Sequence, residues 1–232
     1  MIVLFERGGF MEAATRFKRI MNGVFRLSFK EEVFNCVTHG IMAIIMLILI
    51  PICAVYSYAQ YDTLRAIGVS VFTICIFLMF MASTLYHSMK YSSPQKAVFR
   101  ILDHIFIYFA IAGSYTPVAL CVIKGWQGLL ILIVQWTMVI VGILYKSIST
   151  KSLPKLSLTI YLVMGWTAIL FIPSLLANSN PTFLTLIVGG GIMYSIGAYF
   201  YAKKDMMYSH VIWHIFISLA ATFHFFAIVF CM

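Results

Sequence analysis

Seven long apolar segments, separated by short polar loops, dominate the chain. A helix needs about 20 apolar residues to cross a bilayer, and each segment is long enough. Backbone polar groups must be hydrogen-bonded internally in lipid, so the segments are predicted to be helices, and the alternating pattern of a membrane β-barrel is absent from the sequence. The expected fold is an all-α membrane protein, a seven-transmembrane helix bundle. The approximate segments are Val33–Tyr58, Leu64–His87, Val98–Ile123, Trp126–Tyr145, Leu156–Leu176, Phe183–Tyr201 and Ser209–Val229.

The composition agrees with this fold and excludes two other classes of protein. Of the 232 residues, 62% are hydrophobic and 10% are charged. Soluble domains contain about 45–50% apolar and about 25% charged residues, so a soluble fold and a disordered chain are both excluded. The net charge of +9 would suggest nucleic-acid binding in a soluble protein. Here the basic residues lie in short loops beside apolar segments, so no nucleic-acid partner is expected.

The distribution of basic residues predicts the orientation in the membrane. All but two of the 16 Lys and Arg residues fall on the side of the N-terminus, and the exceptions are Arg65 and Lys124. The positive-inside rule therefore places the N-terminus in the cytoplasm and the C-terminus outside. Residues 1–30 are expected to form a basic cytoplasmic segment and residues 31–232 the transmembrane domain. Within the first segment, residues 10–25 fit either a short helix lying on the membrane or a disordered basic arm.

Polar and ionisable residues are few within the seven segments, and the predicted topology places most of them at one depth. The first, third and seventh helices start at the cytoplasmic face and the second ends there, so their polar residues share one layer. Ionisable groups within a membrane usually mark function. His224 lies about 15 Å deeper, at 1.5 Å per helical residue. The residues in the shared layer are Glu31, Glu32, Asn35, His39, Ser83, Tyr86, His87, Asp103, His104, His210 and His214.

Three histidines in this layer have the spacing of a metal site. His210 and His214 are four residues apart, so both imidazoles lie on one helix face. With His87 they could bind zinc and leave the fourth coordination position for water, to which Asp103 could hydrogen-bond. A proton relay could use the same residue types, so spacing alone leaves both interpretations open. A structural role is favoured for three other histidines, His39, His104 and His224.

Four short motifs resemble those of the bacterial hemolysin III family. They fall in the family's order on the first, second, third and seventh helices, and the resemblance covers residues from about 30 to about 230. The motifs are Glu31–Gly40, Ser83–His87, Leu102–His104 with Ile111–Pro117, and His210–His214 with Phe223–Phe225. The hemolysin III family is grouped with the progestin and adipoQ receptors, which include the adiponectin receptors.

This resemblance implies a specific metal centre. Members of the wider group have seven helices, a cytoplasmic N-terminus and a zinc ion held by three histidines near the cytoplasmic side. Carried onto this chain, the zinc ligands are His87, His210 and His214. Asp103 is then the partner of the zinc-bound water, and Ser83 is the nearby hydroxyl. Residues that could surround this set are Glu32, Asn35, His39, Tyr86 and His104.

The resemblance also implies a function in the bacterial inner membrane. That function is hydrolysis of a lipid amide, such as a ceramide, linked to membrane lipid homeostasis. Zinc would activate water and polarise the carbonyl, Asp103 would accept a proton, and Ser83 would steady the oxyanion. The expected partner is a membrane lipid entering between helices. No soluble protein partner is implied, and the oligomeric state is left open. The alternative is a pore-forming haemolytic protein, or a sensor of membrane state with a structural zinc.

Overall fold

The computed structural model describes residues 26–148, 153–203 and 205–232. Within these ranges there are seven helices long and apolar enough to span a membrane, and no strands, so the predicted seven-helix fold is confirmed. The helix ends lie within four residues of the predicted ones. Residues 10–25, expected to form either a membrane-surface helix or a disordered basic arm, lie outside the described residues. The helices are α1 (Phe29–Gln60), α2 (Thr63–Ser88), α3 (Pro94–Ile123), α4 (Gly125–Ile148), α5 (Lys155–Asn178), α6 (Pro181–Ala202) and α7 (Ser209–Cys231).

Local capping signals determine where several helices begin. At the start of α1, Ser28 and Glu31 form a reciprocal capping box, in which each side chain accepts a hydrogen bond from the other residue's backbone N–H. The Asp62 carboxylate caps α2. Ser93 and Asn180 cap α3 and α6, and each is followed by a proline, which suits the first position of a helix. The short loops therefore carry the signals that separate consecutive spans.

Prolines disturb two of the spans. After Pro117, the end of α3 widens into a π-helix at Ala119–Ile123. In α5, a 3-10 helix at Thr167–Phe171 comes just before Pro173. Proline lacks a backbone N–H and clashes with the preceding turn, so the regular hydrogen-bond ladder is interrupted in both places. Pro51, by contrast, lies within the uninterrupted helix α1.

Helices α2 and α3 form the centre of the bundle. In their most apolar windows, 56% and 61% of residues are buried, against 17% in α5. The two helices approach closely at Gly113 of α3, where a Cβ atom would lie 2.6 Å from the Cβ of Cys75. Small residues allow this kind of contact between membrane helices. The remaining helices surround this pair and present large apolar side chains on their outer faces, as a membrane environment requires.

One end of the bundle, called here the basic end, is where odd-numbered helices begin and even-numbered helices end. The described basic residues at this end are Arg26, Lys30, Lys90, Lys96, Arg100, Lys146, Lys155 and Lys203. At the opposite end, the Arg65 guanidinium donates hydrogen bonds to the carbonyl oxygens of Met232 and of Val229, the latter at 3.2 Å. Arg65 therefore satisfies carbonyls at the end of α7, which explains why it lies opposite the basic end. The orientation of the two ends in a membrane stays a prediction.

Candidate metal centre

Three histidines meet at the basic end of the bundle. His87 is in the last turn of α2, and His210 and His214 are in the first two turns of α7. One ring nitrogen from each lies within 4.8 Å of the others, an arrangement that could hold a metal ion. His87 and His214 are buried, and His210 is half-buried. The structure thus brings together the three residues that the sequence singled out as ligands.

Hydrogen bonds occupy one ring nitrogen on two of these histidines. His87 Nδ1 lies 2.6 Å from Glu32 Oε2, and His214 Nδ1 lies 3.3 Å from the backbone carbonyl oxygen of Asn35. A backbone carbonyl and an ionised carboxylate can only accept hydrogen bonds, so with such partners each Nδ1 is the donor and each Nε2 is left with a lone pair. His87 Nε2 is buried and has no hydrogen-bond partner. Metal-binding histidines commonly donate their second nitrogen to a carboxylate or a backbone carbonyl, so these residues fit a metal.

Two adjacent glutamates of α1 form hydrogen bonds on the two sides of the three-histidine cluster, one with α2 and one with the residue before α7. Glu32 contacts His87 on α2, and its second oxygen, Oε1, lies 2.7 Å from Lys96 Nζ on α3. Glu31 Oε1 accepts a hydrogen bond of 3.1 Å from the backbone N–H of Tyr208, the residue before α7. Tyr208 has φ = 59°, a left-handed conformation, so this contact holds the chain where it turns into the helix that carries His210 and His214.

Lys96 is the residue that sequence reasoning missed. The sequence pattern groups Lys96 with the loop lysines that indicate orientation, because hydropathy alone ends a span at its first charges. The structure corrects this, because α3 begins at Pro94 and Lys96 is only 1% exposed. The available signal was the serine and proline at positions 93 and 94, which predict a helix start and place Lys96 in the first turn.

Asp103 and Ser83 lie in the same cavity as the three histidines. Ser83 is buried in α2 and lies beside the Asp103 carboxylate on α3. His104 Nδ1 is 3.9 Å from an Asp103 oxygen and donates a hydrogen bond of 2.7 Å to the Arg100 carbonyl. His104 therefore binds the preceding turn of its own helix. A carboxylate and a hydroxyl thus face the space next to the histidine cluster.

His39 and Tyr86 pack against the ligand rings. His39 stacks on His214, with ring centroids 3.6 Å apart and planes 8° from parallel. Neither ring nitrogen of His39 has a hydrogen-bond partner, and the side-chain amide of Asn35, one turn earlier, has none either. The Tyr86 ring meets His87 edge-on at 4.7 Å. Of the residues expected around the ligands, Glu32, Asn35, His39 and Tyr86 all contact one of them.

The cavity has a volume of about 420 Å³ and extends from the centre into the bundle. That size falls within the range of small-molecule sites. Its deeper lining includes Trp166, Tyr194 and His224. His224 Nε2 lies 3.2 Å from the carbonyl oxygen of Ile187 on α6, so this histidine links two helices, which agrees with the structural role expected for it. The cavity therefore joins a polar centre at the basic end to a mainly apolar space within the membrane-spanning part.

Comparisons with known proteins agree with the motifs. A family model described as Haemolysin-III related matches residues 27–225, which contain all four motifs. Hemolysin-3 of Bacillus cereus is 35% identical over 201 residues, covering 87% of this chain and 91% of that protein. The Hemolysin-3 homolog of Bacillus subtilis (strain 168) is 33% identical, with 87% and 94% covered. The Monocyte to macrophage differentiation factor of Homo sapiens is 26% identical over 229 residues, with 94% of each chain covered.

Proposed function

The chain belongs to the haemolysin-III related family, with relatives among the adiponectin receptor-like proteins, and on that premise we propose that it is a zinc-dependent hydrolase of a lipid amide. It is a multi-pass membrane protein, so its substrate is a membrane lipid that reaches the centre from the bilayer. The observation that carries the proposal is the placement of three histidines, a carboxylate and a hydroxyl in one cavity within the spans.

The donor set supports zinc as the metal. His87, His210 and His214 offer three imidazole nitrogens and no sulfur, as in catalytic zinc sites that keep one position open. When bound, zinc would supply Lewis acidity for a carbonyl oxygen and make water a nucleophile near neutral pH.

Asp103 and Ser83 have separate roles in amide hydrolysis. The Asp103 carboxylate accepts a proton from water as that water attacks the amide carbonyl, and then delivers it to the departing nitrogen. The Ser83 hydroxyl, beside Asp103, donates a hydrogen bond to the oxyanion that forms. The deeper cavity holds the acyl chain and excludes bulk water. In the predicted orientation, this reaction takes place near the cytoplasmic face of the bacterial inner membrane.

Metal analysis and lipid analysis together test this proposal. Purified protein should contain about one zinc per chain, and the His87→Ala, His210→Ala, His214→Ala triple variant should lose it. The matched control is His224→Ala, which removes a histidine of the same cavity outside the cluster and should keep the zinc. Cells expressing the wild-type chain should lose an N-acylated lipid that cells expressing Asp103→Ala retain. Full zinc retention in the triple variant would refute the metal centre, and identical lipid profiles would refute the hydrolase.

The name Hemolysin-3, carried by the Bacillus cereus relative, favours a second candidate, a pore. A pore would give the protein ion conductance in liposomes, and this conductance would survive Asp103→Ala because it needs no general base. A hydrolase would leave liposomes sealed and would lose turnover with the same substitution. The two measurements, made on the same pair of proteins, separate the candidates.

A further inference from the structure

A buried lysine, Lys96, stands behind the three-histidine centre on the side of α3. We propose that Lys96 is a positioning residue: acting through Glu32, it fixes the orientation of His87 and keeps the proton on Nδ1, so that Nε2 faces the metal. The inference rests on the zinc binding of the proposed function but not on its hydrolytic activity.

A continuous chain of short contacts joins Lys96 to His87. Lys96 Nζ is 2.7 Å from Glu32 Oε1, and Glu32 Oε2 is 2.6 Å from His87 Nδ1. Both distances are those of strong, charge-assisted hydrogen bonds. The two residues at the ends of this series of contacts are shielded from solvent: 1% of the Lys96 side chain is exposed, and none of the His87 side chain is. Three helices, α3, α1 and α2, are thereby tied together behind one ligand.

The chemistry of the three groups explains why the lysine matters to the metal. An ionised carboxylate can only accept hydrogen bonds, so a glutamate paired with an ammonium group requires His87 Nδ1 to be the donor. The ring then presents an unprotonated Nε2, which is buried without a hydrogen-bond partner. A buried polar atom without a partner is unfavourable, and a metal at the three-histidine cluster would satisfy it. Lys96 thus acts on the ligand without touching it.

Lys96 also makes contacts of a different kind. Its Nζ donates to the carbonyl oxygens of Tyr86 at 3.2 Å and Met89 at 3.3 Å, at the end of α2. If Lys96 only capped α2, replacing it would have the same effect on metal binding with and without the Glu32 carboxylate. The two roles are therefore separated by asking whether the effect of removing the Lys96 charge depends on the carboxylate of Glu32.

The experiment is a double-mutant cycle on the full chain purified in detergent. The variants are Lys96→Met, Glu32→Gln, their combination, and Lys96→Arg, with Lys90→Met as the matched control. Lys90 precedes α3 by a few residues and is exposed. The zinc dissociation constant of each protein is measured by competition with a chromophoric chelator, the visible spectrum is recorded after loading with cobalt(II), and thermal unfolding is followed in parallel.

We expect Lys96→Met to weaken zinc binding about 10–100-fold, the usual effect of losing a group that supports a ligand. Glu32→Gln should weaken it by a similar factor, and adding Lys96→Met to Glu32→Gln should change it by less than about threefold, because both act through one contact. Lys96→Arg should restore binding to near the wild-type level. Cobalt spectra should change in the same way for Lys96→Met and Glu32→Gln, and Lys90→Met should match the wild-type chain throughout.

Two results would overturn the inference. The first is a folded Lys96→Met protein that binds zinc as tightly as the wild type. The second is an equal loss of affinity from Lys96→Met with and without Glu32, which would indicate a capping role only. If Lys96→Met does not fold, the combined variant, which buries no unpaired charge, is compared with Glu32→Gln alone, and a further tenfold loss counts against the inference. A wild-type chain that binds no zinc would instead refute the proposed metal centre itself.

Discussion

Replacing Gly190 with alanine should force α6 and α7 apart. A Cβ atom at this position would lie 2.3 Å from Cδ2 and 2.6 Å from Nε2 of the His224 ring, and 3.2 Å from the Ala220 carbonyl oxygen. Two of these separations are shorter than any real Cβ contact. The ring cannot simply rotate away, because its Nε2 bonds to the Ile187 carbonyl at 3.2 Å. The substitution must therefore either break that bond or displace one helix.

The expected loss of stability has two contributions, the strain of the added methyl group and the loss of the hydrogen bond of His224. Adding a methyl group to a well-packed contact costs about 1–3 kcal/mol in strain. Loss of the bond between His224 and Ile187 adds about 0.5–1.5 kcal/mol. If the ring is displaced and the bond is also lost, the total is about 1.5–4.5 kcal/mol. For a chain of this size, that corresponds to a fall in melting temperature on the order of 5–15 °C.

Thermal unfolding in detergent measures this effect against two controls. Gly165→Ala is the matched substitution, because a Cβ at Gly165 would meet no heavy atom within 4 Å, and it should not lower the melting temperature. In the second control, His224→Ala removes the clashing ring, so Gly190→Ala should cost much less in that background than in the wild type. A Gly190→Ala protein as stable as the wild type, or equal losses at both glycines, would refute the packing argument.

Two further substitutions test the two ends of the bundle. Ser83→Ala should lower turnover about 10²–10³-fold with zinc content unchanged, because it removes a donor to the oxyanion but no ligand; loss of zinc in this variant, measured by elemental analysis, would contradict that role. Arg65→Met should lower stability by about 1–3 kcal/mol, because it removes the donor to the carbonyls of Val229 and Met232. Zinc affinity should not change in Arg65→Met, since Arg65 lies at the end opposite the metal centre, and a changed affinity would count against the separation of the two ends.

The fold was predictable because membrane helices obey two simple constraints. Length and hydropathy locate the spans, and the need to satisfy backbone hydrogen bonds makes them helical. The same reasoning placed Glu32, His87 and His214 at one depth, because consecutive spans alternate in direction. The interruptions at the end of α3 and in the middle of α5 are less predictable. Proline predicts a disturbance, but whether the helix widens, as at Ala119–Ile123, or tightens, as at Thr167–Phe171, depends on the neighbouring helices.

The contacts around the centre required the tertiary structure. Glu31 and Tyr208 are 177 positions apart, and Glu32 and Lys96 are 64 apart. The serine and proline before Lys96 predict a helix start, but no local pattern distinguishes a lysine that reaches lipid headgroups from one that turns inward. The stacking of His39 on His214 was missed for the same reason, because depth along a helix was known but rotation about its axis was not.

The arrangement of the helices means that a metal ion bound at the three histidines would cross-link two helices. Among the described residues, α1 packs extensively against α2 and also against α7, whereas α2 and α7 have few close backbone contacts with each other. At the basic end, helices α2 and α7 meet through His87, His210 and His214, and Glu32 and Glu31 of α1 bond to the α2 side and to the start of α7 respectively. An ion bound to all three imidazoles would therefore stabilise the folded bundle by mass action, whatever chemistry follows. Zinc-dependent stability is thus common to a hydrolase and a sensor, and only the loss of turnover on replacing Asp103 separates them.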